Sequence, residues 1–426
     1  MSTGLALGGA GGTAPAVRRG FSPRVEGAVL WLMGYGGGFA FIEPSPWEFA
    51  FFLVLFVLAV GGLRLHRSTL PMVALLALFN IGGVFSLAPF LHDSDSVMFI
   101  AVSIYLMATS VLFSAMLLDR GAERFGALRS GLTWGAATAS VAGILGYFDV
   151  AGLGAIFTVN DRASGTFKDP NVLGTFVIFP LVLIAQDMLT GRGRFWRNAA
   201  LFAVIFVGGV FLSFSRGAWG HAGASILMVT GLTFLFAATP RVRMRILGLV
   251  ALAPVVGVGA LAAALSIEPV REMFEVRASL NQYYDVGPTG RFGNHARSLP
   301  TLFEMPNGYG PRQFRYHWPE DPHNVYINAF ASYGWLGGVA YLALTLATVA
   351  VGFATVAMRS SLQPLAIAVW STLFVQMLQG FLIDTDHWRH YYLLLGLVWG
   401  LFALARVESA ARARGLASAP HGGHAA

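Results

Sequence analysis

Residues 46–67 of the chain read PWEFAFFLVLFVLAVGGLRLHR, an apolar run that ends in two arginines. A helix that spans a bilayer needs about 20 mostly apolar residues, and this run is close to that length. Similar runs lie at 27–42, 70–90, 96–118, 127–148, 171–190, 197–214, 217–237, 245–266, 336–357, 363–383 and 388–406. The pattern predicts an all-α integral membrane protein with about twelve transmembrane helices. Eleven is the alternative count, because the run at 27–42 is short and rich in glycine.

The composition agrees with this fold class. Hydrophobic residues make up 56% of the 426 residues and charged residues 12%, whereas soluble domains carry about 25% charged residues. The chain has no cysteine, which excludes disulfides and thiolate chemistry. The net charge of +7 is not read as a nucleic-acid surface, because the basic residues lie in short loops between apolar runs.

The distribution of arginine predicts the orientation. Cytoplasmic loops are enriched in Arg and Lys, and most of the basic residues fall in alternate loops if the N-terminus is inside. The predicted order is a disordered cytoplasmic N-terminus (1–26), nine transmembrane helices (27–266), a large periplasmic loop (267–335), three further helices (336–406) and a cytoplasmic tail (407–426).

Arg216 departs from the orientation rule. It lies on the outward side in SFSRG (213–217), with apolar runs before and after it. An arginine at the centre of a span costs about 2.5–3.5 kcal/mol on insertion scales, so such residues are functional candidates. The guanidinium group suits bidentate phosphate binding. The alternative is that the side chain extends to the membrane surface.

Two outward segments have the pattern of helix starts. Asp169-Pro170-Asn171 places an N-capping residue before a proline. Asp321-Pro322-His323-Asn324 has the same order, and it predicts His323 in a first helical turn, where the helix dipole disfavours the protonated imidazole. A neutral histidine can act as a general base, and a capping or packing role is the alternative. His295 follows Arg291 by one helical turn and is the second candidate for the base.

Several of these segments together resemble a known family. RASGTF (162–167) with DPN (169–171), SFSRG (213–217), Gly290-Arg291, and His323-Asn324 with YGWLG (333–337) occur in this order. They resemble the O-antigen ligase and polymerase superfamily, which comprises WaaL-like and Wzy-like glycosyltransferases of the bacterial inner membrane. The resemblance covers roughly residues 150–340.

The resemblance implies a GT-C-type enzyme that acts on the periplasmic face without a metal, a cofactor or a nucleotide sugar. The donor would be a glycan on undecaprenyl diphosphate. Arg216 and Arg291 would hold the diphosphate, and His323 would accept the proton of the attacking hydroxyl. The further substrate-binding candidates are Arg162, Lys168, Asn171, Arg312, Arg315 and His295; the last three lie in a loop that varies within the family, so the resemblance assigns them no role.

Three functions remain open at this stage. The first is an O-antigen ligase that transfers the glycan to lipid A–core oligosaccharide, and the second is a polysaccharide polymerase or protein O-oligosaccharyltransferase with the same donor. The third is a flippase for the lipid-linked glycan, which is disfavoured because the spans are nearly free of charge and show no repeat. Asp384-Thr385-Asp386 matches a DxD metal motif, but this motif is common by chance and no metal is expected.

Overall fold

A computed structural model describes residues 20–237, 239–279, 287, 290–318 and 321–415. Most of the predicted disordered N-terminus (1–19) and the end of the predicted tail (416–426) lie outside the described residues. The described chain is nearly all helix, and the helices are α1 (Pro23–Gly36), α2 (Pro46–Val60), α3 (Leu70–Leu87), α4 (Ser94–Met116), α5 (Gly121–Tyr147), α6 (Gly154–Phe157), α7 (Pro170–Phe176), α8 (Ile178–Thr190), α9 (Phe195–Ile205), α10 (Arg216–Leu232), α11 (Pro240–Leu265), α12 (Glu268–Ala278), α13 (Arg291–Leu302), α14 (Val325–Ala357), α15 (Gln363–Gln379) and α16 (Arg389–Ala413).

Shorter elements complete the fold. The π-helical turns Phe206–Phe211 and Thr233–Ala237 extend α9 and α10. Strands β1 (Thr158–Val159) and β2 (Arg162–Ala163) form an antiparallel pair in which Val159 faces Arg162. Within the described residues, seven helices are long and apolar enough to cross a membrane, and two shorter apolar helices lie at Pro46–Val60 and Phe195–Phe211. The membrane character predicted from the sequence therefore has structural support.

Burial separates a central from a peripheral part of the bundle. In the continuous stretch of α7 and α8, 83% of the most apolar 18-residue segment is buried inside the protein. In α11 the buried share of the corresponding segment is 6%. The helices α8, α15 and α16 each contribute several residues to the large hydrophobic cluster. α11 stands at the edge, where an apolar surface that the protein does not cover can face lipid.

The glycines of the first apolar run have a packing role. α1 lies against α5 so closely that a Cβ at Gly34 would be 2.5 Å from the carbonyl oxygen of Leu128. On the α5 side, a Cβ at Gly131 would collide with the carbonyl of Trp31. Small residues that let backbones approach are typical of helix contacts in membranes. The glycines that make the first apolar run an uncertain span in the sequence thus lie at its contact with α5.

Acidic residues near one end of the bundle are paired. Glu26 is 2% exposed, and its carboxylate accepts hydrogen bonds from Arg120 at 2.6 Å and Arg124 at 2.9 Å. Asp187, which is unusual in an apolar run, binds Arg129 at 2.5 Å. These pairs mark what we call the arginine end of the bundle, the end that holds the connections 61–69, 117–120, 191–194 and 358–362. The opposite end, which we call the site end, carries the longer connections, including 148–169, 266–324 and 380–388.

Candidate functional site

The segment 380–388 between α15 and α16 is a meeting point for distant parts of the chain. Arg291 Nη1 donates a hydrogen bond to the carbonyl of Leu382 at 3.1 Å. The backbone N–H of His323 donates to Asp384 Oδ2 at 3.1 Å. Beside this segment, a Cβ on Gly217 would lie 2.9 Å from Gln379 Nε2, which places the start of α10 against the end of α15. The structure therefore brings the regions of Arg216, Arg291 and His323 to one loop.

Arg216 is the first residue of α10. Ser215 caps this helix, since its hydroxyl oxygen accepts a hydrogen bond from the backbone N–H of Ala218 at 3.3 Å. Phe214 has a positive φ of 46°, which turns the chain sharply from the end of α9 into α10. Arg216 Nη1 donates to the carbonyl of Ser279 at 3.3 Å, just after α12. A guanidinium group at a helix N-terminus adds to the partial positive charge of the helix dipole, and this combination favours an anion.

His323 does not lie where the sequence predicted it. The structure starts α14 at Val325, and Asn324 caps the helix by accepting hydrogen bonds from the backbone N–H groups of Tyr326 and Ile327 at 3.0 and 3.2 Å. The prediction that His323 occupies the first helical turn was wrong, and the helix-dipole argument for its neutral form does not apply. The reason is that Asn324, rather than Asp321, is the capping residue.

The backbone of His323 is held in an unfavourable conformation. Its φ of 47° is in the left-handed region, which costs a residue other than glycine on the order of 1–3 kcal/mol. Asp384 lies in the segment between α15 and α16, and the hydrogen bond from the His323 N–H to its Oδ2 stabilises this conformation. Strained residues cluster at functional sites, so this feature agrees with a special role for His323.

Two of the predicted substrate-binding residues contact each other. Arg162 is only 8% exposed, and its Nη2 donates to Asn171 Oδ1 at 2.8 Å. Its Nε donates to the carbonyl of Ser213 at 2.7 Å, so Arg162 supports the turn that precedes Arg216. Lys168 contacts a different partner, with Nζ 3.6 Å from Glu43 Oε2. The predicted roles of these residues in substrate binding remain predictions.

The remaining candidates, His295, Arg312 and Arg315, lie at separate places of the site end. His295 lies one turn after Arg291 on α13, and its Nε2 hydrogen-bonds to the carbonyl of Pro322, next to His323. Partial burial lowers the pKa of His295, and the positive charge of Arg291 lowers it further, against the opposing effect of that hydrogen bond. Arg315 Nη2 lies 3.8 Å from Asp95 Oδ2. Arg312 lies in the wall of a cavity that Phe314 and Asp321 also line.

A cavity of about 830 Å³ opens at the site end, between α2, α4 and the starts of α14 and α16. We call it the carboxylate cavity, because six carboxyl groups and two guanidinium groups line it: Glu43, Glu48, Asp95, Asp321, Asp384, Asp386, Arg312 and Arg389. Phe99, Phe314 and Tyr105 contribute aromatic surface. Arg216, Arg291 and His323 are not among the lining residues, but Asp384 lines the cavity and also binds the backbone of His323.

Buried polar side chains form one wall of this cavity. Asp386 is 3% exposed, and its Oδ2 accepts a hydrogen bond from Asn328 Nδ2 at 2.9 Å. Ser332 in turn donates to Asn328 Oδ1 at 2.8 Å. Burial raises the pKa of Asp384, and the neighbouring carboxylates of Asp386 and Asp321 raise it further. The chain therefore keeps hydrogen-bonding groups, some of them costly to bury, around an open space.

Sequence reasoning missed these cavity residues. In the sequence, Asp384 and Asp386 form only a DxD motif of a kind that is common by chance, and no pattern gives Arg389 a role. In the part of the chain that the structure describes, no group of three or more His, Asp or Glu residues has the arrangement of a metal site. The available signal was a cluster of charges directly after an apolar run, on the same side of the membrane as Arg216.

The fold and the site together define a nearly all-helical protein with apolar helices of membrane-spanning length and a polar, charged site at one end. No protein-family model matches the chain, and no curated protein matches it either.

Proposed function

We propose that this chain is a membrane glycosyltransferase of the O-antigen ligase type. The observation that carries the proposal is that the segments holding Arg216, Arg291 and His323 meet at the end of α15 and the loop that follows it. In this proposal the protein is a twelve-span GT-C-type enzyme of the bacterial inner membrane. Both termini lie in the cytoplasm, and the site end faces the periplasm.

The proposed donor is a glycan linked to undecaprenyl diphosphate, and Arg216 and Arg291 bind its diphosphate. Both arginines already place one guanidinium nitrogen on a backbone carbonyl, which orients the group. A hydrogen bond to a charged group contributes about 1.5–3 kcal/mol. Since negative charge develops on the leaving diphosphate in the transition state, two such groups lower the barrier directly.

The reaction needs no redox partner. A hydroxyl oxygen of the acceptor, lipid A–core oligosaccharide in this proposal, attacks the anomeric carbon of the donor glycan. The bond from that carbon to the diphosphate oxygen breaks, and the lipid diphosphate leaves with the electron pair. The proton of the hydroxyl passes to the imidazole of His323. A general base of this kind accelerates a reaction by roughly 10²–10⁴-fold, and attack opposite the leaving group inverts the anomeric centre.

The surface beside Arg216 supports a lipid-linked donor. Gly220, Gly223 and Gly231 follow Arg216 along α10, and a Cβ at any of them would meet nothing within 4 Å. The neighbouring α11 buries only 6% of its most apolar stretch in the protein. An open, apolar flank that starts at Arg216 fits a polyprenyl chain whose diphosphate binds that arginine.

Two alternative functions use the same chain differently. A polysaccharide polymerase or a protein O-oligosaccharyltransferase would share the donor site and differ only in the acceptor. A flippase would need charged or polar groups through the middle of the bundle. The buried Glu26 and the half-buried Asp187 lie instead at the arginine end and pair with arginines there, which favours an enzyme.

A transfer assay with purified full-length protein tests the proposal. It uses undecaprenyl-diphosphate glycan as donor, and lipid A–core oligosaccharide and a second lipid-linked glycan as separate acceptors, with EDTA present. We expect transfer to lipid A–core that His323→Ala and Arg216→Ala abolish. The matched controls are His92→Ala, an exposed histidine, and Arg271→Ala, whose side chain pairs with Glu268 at 3.5 Å.

Each outcome of this assay has a distinct meaning. Growth of glycan on the lipid carrier would identify a polymerase and leave the roles of the site residues unchanged. Absence of transfer to both acceptors, together with movement of the donor across a vesicle bilayer, would overturn the enzyme proposal.

A further inference from the structure

The carboxylate cavity has the size and lining of a ligand site. Its volume of about 830 Å³ falls within the roughly 300–1,000 Å³ typical of small-molecule pockets. Apolar and aromatic side chains supply part of the wall, and a few oriented polar groups supply the rest. Asp384 Oδ1 is buried there without a hydrogen-bond partner among the described residues, although buried polar atoms are normally paired.

The charges of the lining restrict the ligand. Six carboxyl groups face two guanidinium groups, and one of these, that of Arg389, is already paired with Glu48 at 2.5 Å. Such a lining repels phosphate and carboxylate groups and accepts ligands that donate hydrogen bonds. Arg216 and Arg291 do not line the cavity, so the electrostatic environment of the cavity differs from that of the proposed donor site.

We infer that the carboxylate cavity binds the sugar residue that accepts the transferred glycan, and that this residue is neutral or amino-substituted and carries no negative charge. This role rests on the proposed function. The wall formed by Asp386, Asn328 and Ser332 contains both hydrogen-bond donors and acceptors. Sugar hydroxyls can pair with both kinds, because each of them donates and accepts. The partly exposed rings of Phe99 and Tyr105 contribute apolar surface for a sugar ring.

The position of Asp384 connects this cavity to the proposed base. Asp384 lines the cavity and accepts the hydrogen bond from the N–H of His323, and Asp321 and Pro322, which directly precede His323, also line it. A sugar in the cavity would thus lie next to the residue that takes its proton. The donor diphosphate would bind on the arginine-lined part of the same loop, and the opposite charges of the two regions would keep each substrate in its own site.

Saturation-transfer NMR on the full-length protein in detergent tests the ligand class without any donor. The probes are glucose, glucosamine and glucose 6-phosphate. We expect signals from the first two, and binding of the phosphate at least about tenfold weaker, because unfavourable charge contacts readily account for such a ratio. Equal binding of the phosphate would overturn the inference.

Variants locate the binding. Asp386→Asn should weaken binding of glucose by about tenfold, the order expected when a hydrogen bond to a charged group is lost. Asp321→Lys should also weaken the binding of glucose. Asp321 is a half-buried residue of the lining, so this variant leaves the buried wall of Asp386, Asn328 and Ser332 unchanged. The control is Asp161→Asn, in a separate cavity of about 710 Å³ near α12. Binding that is unchanged in both cavity variants would contradict the assignment.

The transfer assay separates this inference from the proposed function. Asp386→Asn should raise KM for the acceptor and leave KM for the lipid-linked donor unchanged, whereas Arg216→Ala should raise KM for the donor. A cavity variant that raises only the donor KM would overturn the acceptor site while the glycosyltransferase stands. Absence of transfer by the wild type would refute the proposed function and the acceptor role, and the sugar-binding result would still be decided by NMR.

Discussion

Asp384 contacts both the backbone of His323 and the carboxylate cavity. One of its oxygens accepts a hydrogen bond from the N–H of His323, and the other lies buried at the cavity. The bonded oxygen supports the left-handed backbone of His323. The carboxyl group also lies near Asp386 and Asp321. A single side chain therefore fixes the position of the proposed base and the polarity of the proposed acceptor site.

The titration of Asp384 gives a pH-dependent stability. Burial and the two neighbouring carboxylates raise its pKa in the folded protein. A raised pKa means that the folded state binds the proton more tightly than the unfolded state. The resulting stabilisation is complete below the ordinary carboxyl pKa of about 4 and is lost as the pH rises through the raised value.

The side chain of Asp384→Asn cannot ionise and still accepts the hydrogen bond, so this variant should not lose stability as the pH rises. We therefore expect the Tm of the variant to exceed that of the wild type by a margin that grows from about pH 5 to about pH 9. Thermal unfolding in detergent across this range measures the difference. The control is Glu304→Gln at an exposed position, and a margin for Asp384→Asn that stays constant with pH would contradict the prediction.

At the scale of elements, the contact of α10 with α15 positions Arg216. His221 on α10 hydrogen-bonds through Nδ1 to Gln379 Oε1 at 2.9 Å and through Nε2 to the carbonyl of Thr372 at 3.0 Å. Gln379 also packs against Gly217. The interface thus fixes the first turn of α10 relative to the loop that contacts Arg291 and His323.

Gly217→Ala should disturb this contact, because its Cβ would lie 2.9 Å from Gln379 Nε2. The Gln379 amide would have to move away from its hydrogen bond with His221, and the loss of such a bond costs about 0.5–1.5 kcal/mol. We therefore expect a slightly lower Tm and a larger proportional loss of transfer activity. Gly220→Ala on the same helix is the matched control, since its Cβ would meet nothing within 4 Å. Equal Tm values and activities for the two variants would show that the α10–α15 contact does not position Arg216.

Some elements were predictable from the sequence because their causes are local. Apolar runs predicted helices, and Asp169 caps α7 as expected, with its carboxylate 2.6 Å from the backbone nitrogen of Asn171. The ion pair of Arg271 with Glu268, three residues apart on α12, is equally local, at 3.5 Å. These features depend on residues within one turn, so spacing alone predicts them.

Other features depend on contacts between distant residues. The conformation of His323 is stabilised by Asp384, which follows it by a whole helical hairpin, α14 and α15. The carboxylate cavity combines Glu43, Asp95, Asp321 and Asp386, which come from four parts of the chain. A periodic pattern contains no information about such pairs, so the sequence predicted the proposed catalytic residues through family resemblance and did not predict the cavity.

At the scale of the whole molecule, charge divides the protein between its two ends. The arginine end holds the buried pairs of Glu26 with Arg120 and Arg124, and the site end holds the carboxylate cavity. The positive-inside rule predicts that the arginine end faces the cytoplasm. The proposed chemistry requires this orientation, because the site end must meet substrates in the periplasm.

Single cysteines test the orientation directly, because the native chain contains none. Glu304→Cys places an exposed thiol at the site end, and Arg359→Cys places one between α14 and α15 at the arginine end. We expect a membrane-impermeant maleimide to label position 304 in cells with a permeabilised outer membrane, and to label position 359 only after the inner membrane is opened. The cysteine-free wild type controls for background labelling. Because the proposed acceptor and donor meet outside the cytoplasm, labelling in the reverse order would refute the orientation and, with it, a periplasmic glycosyltransferase, however well the residues of the site are arranged.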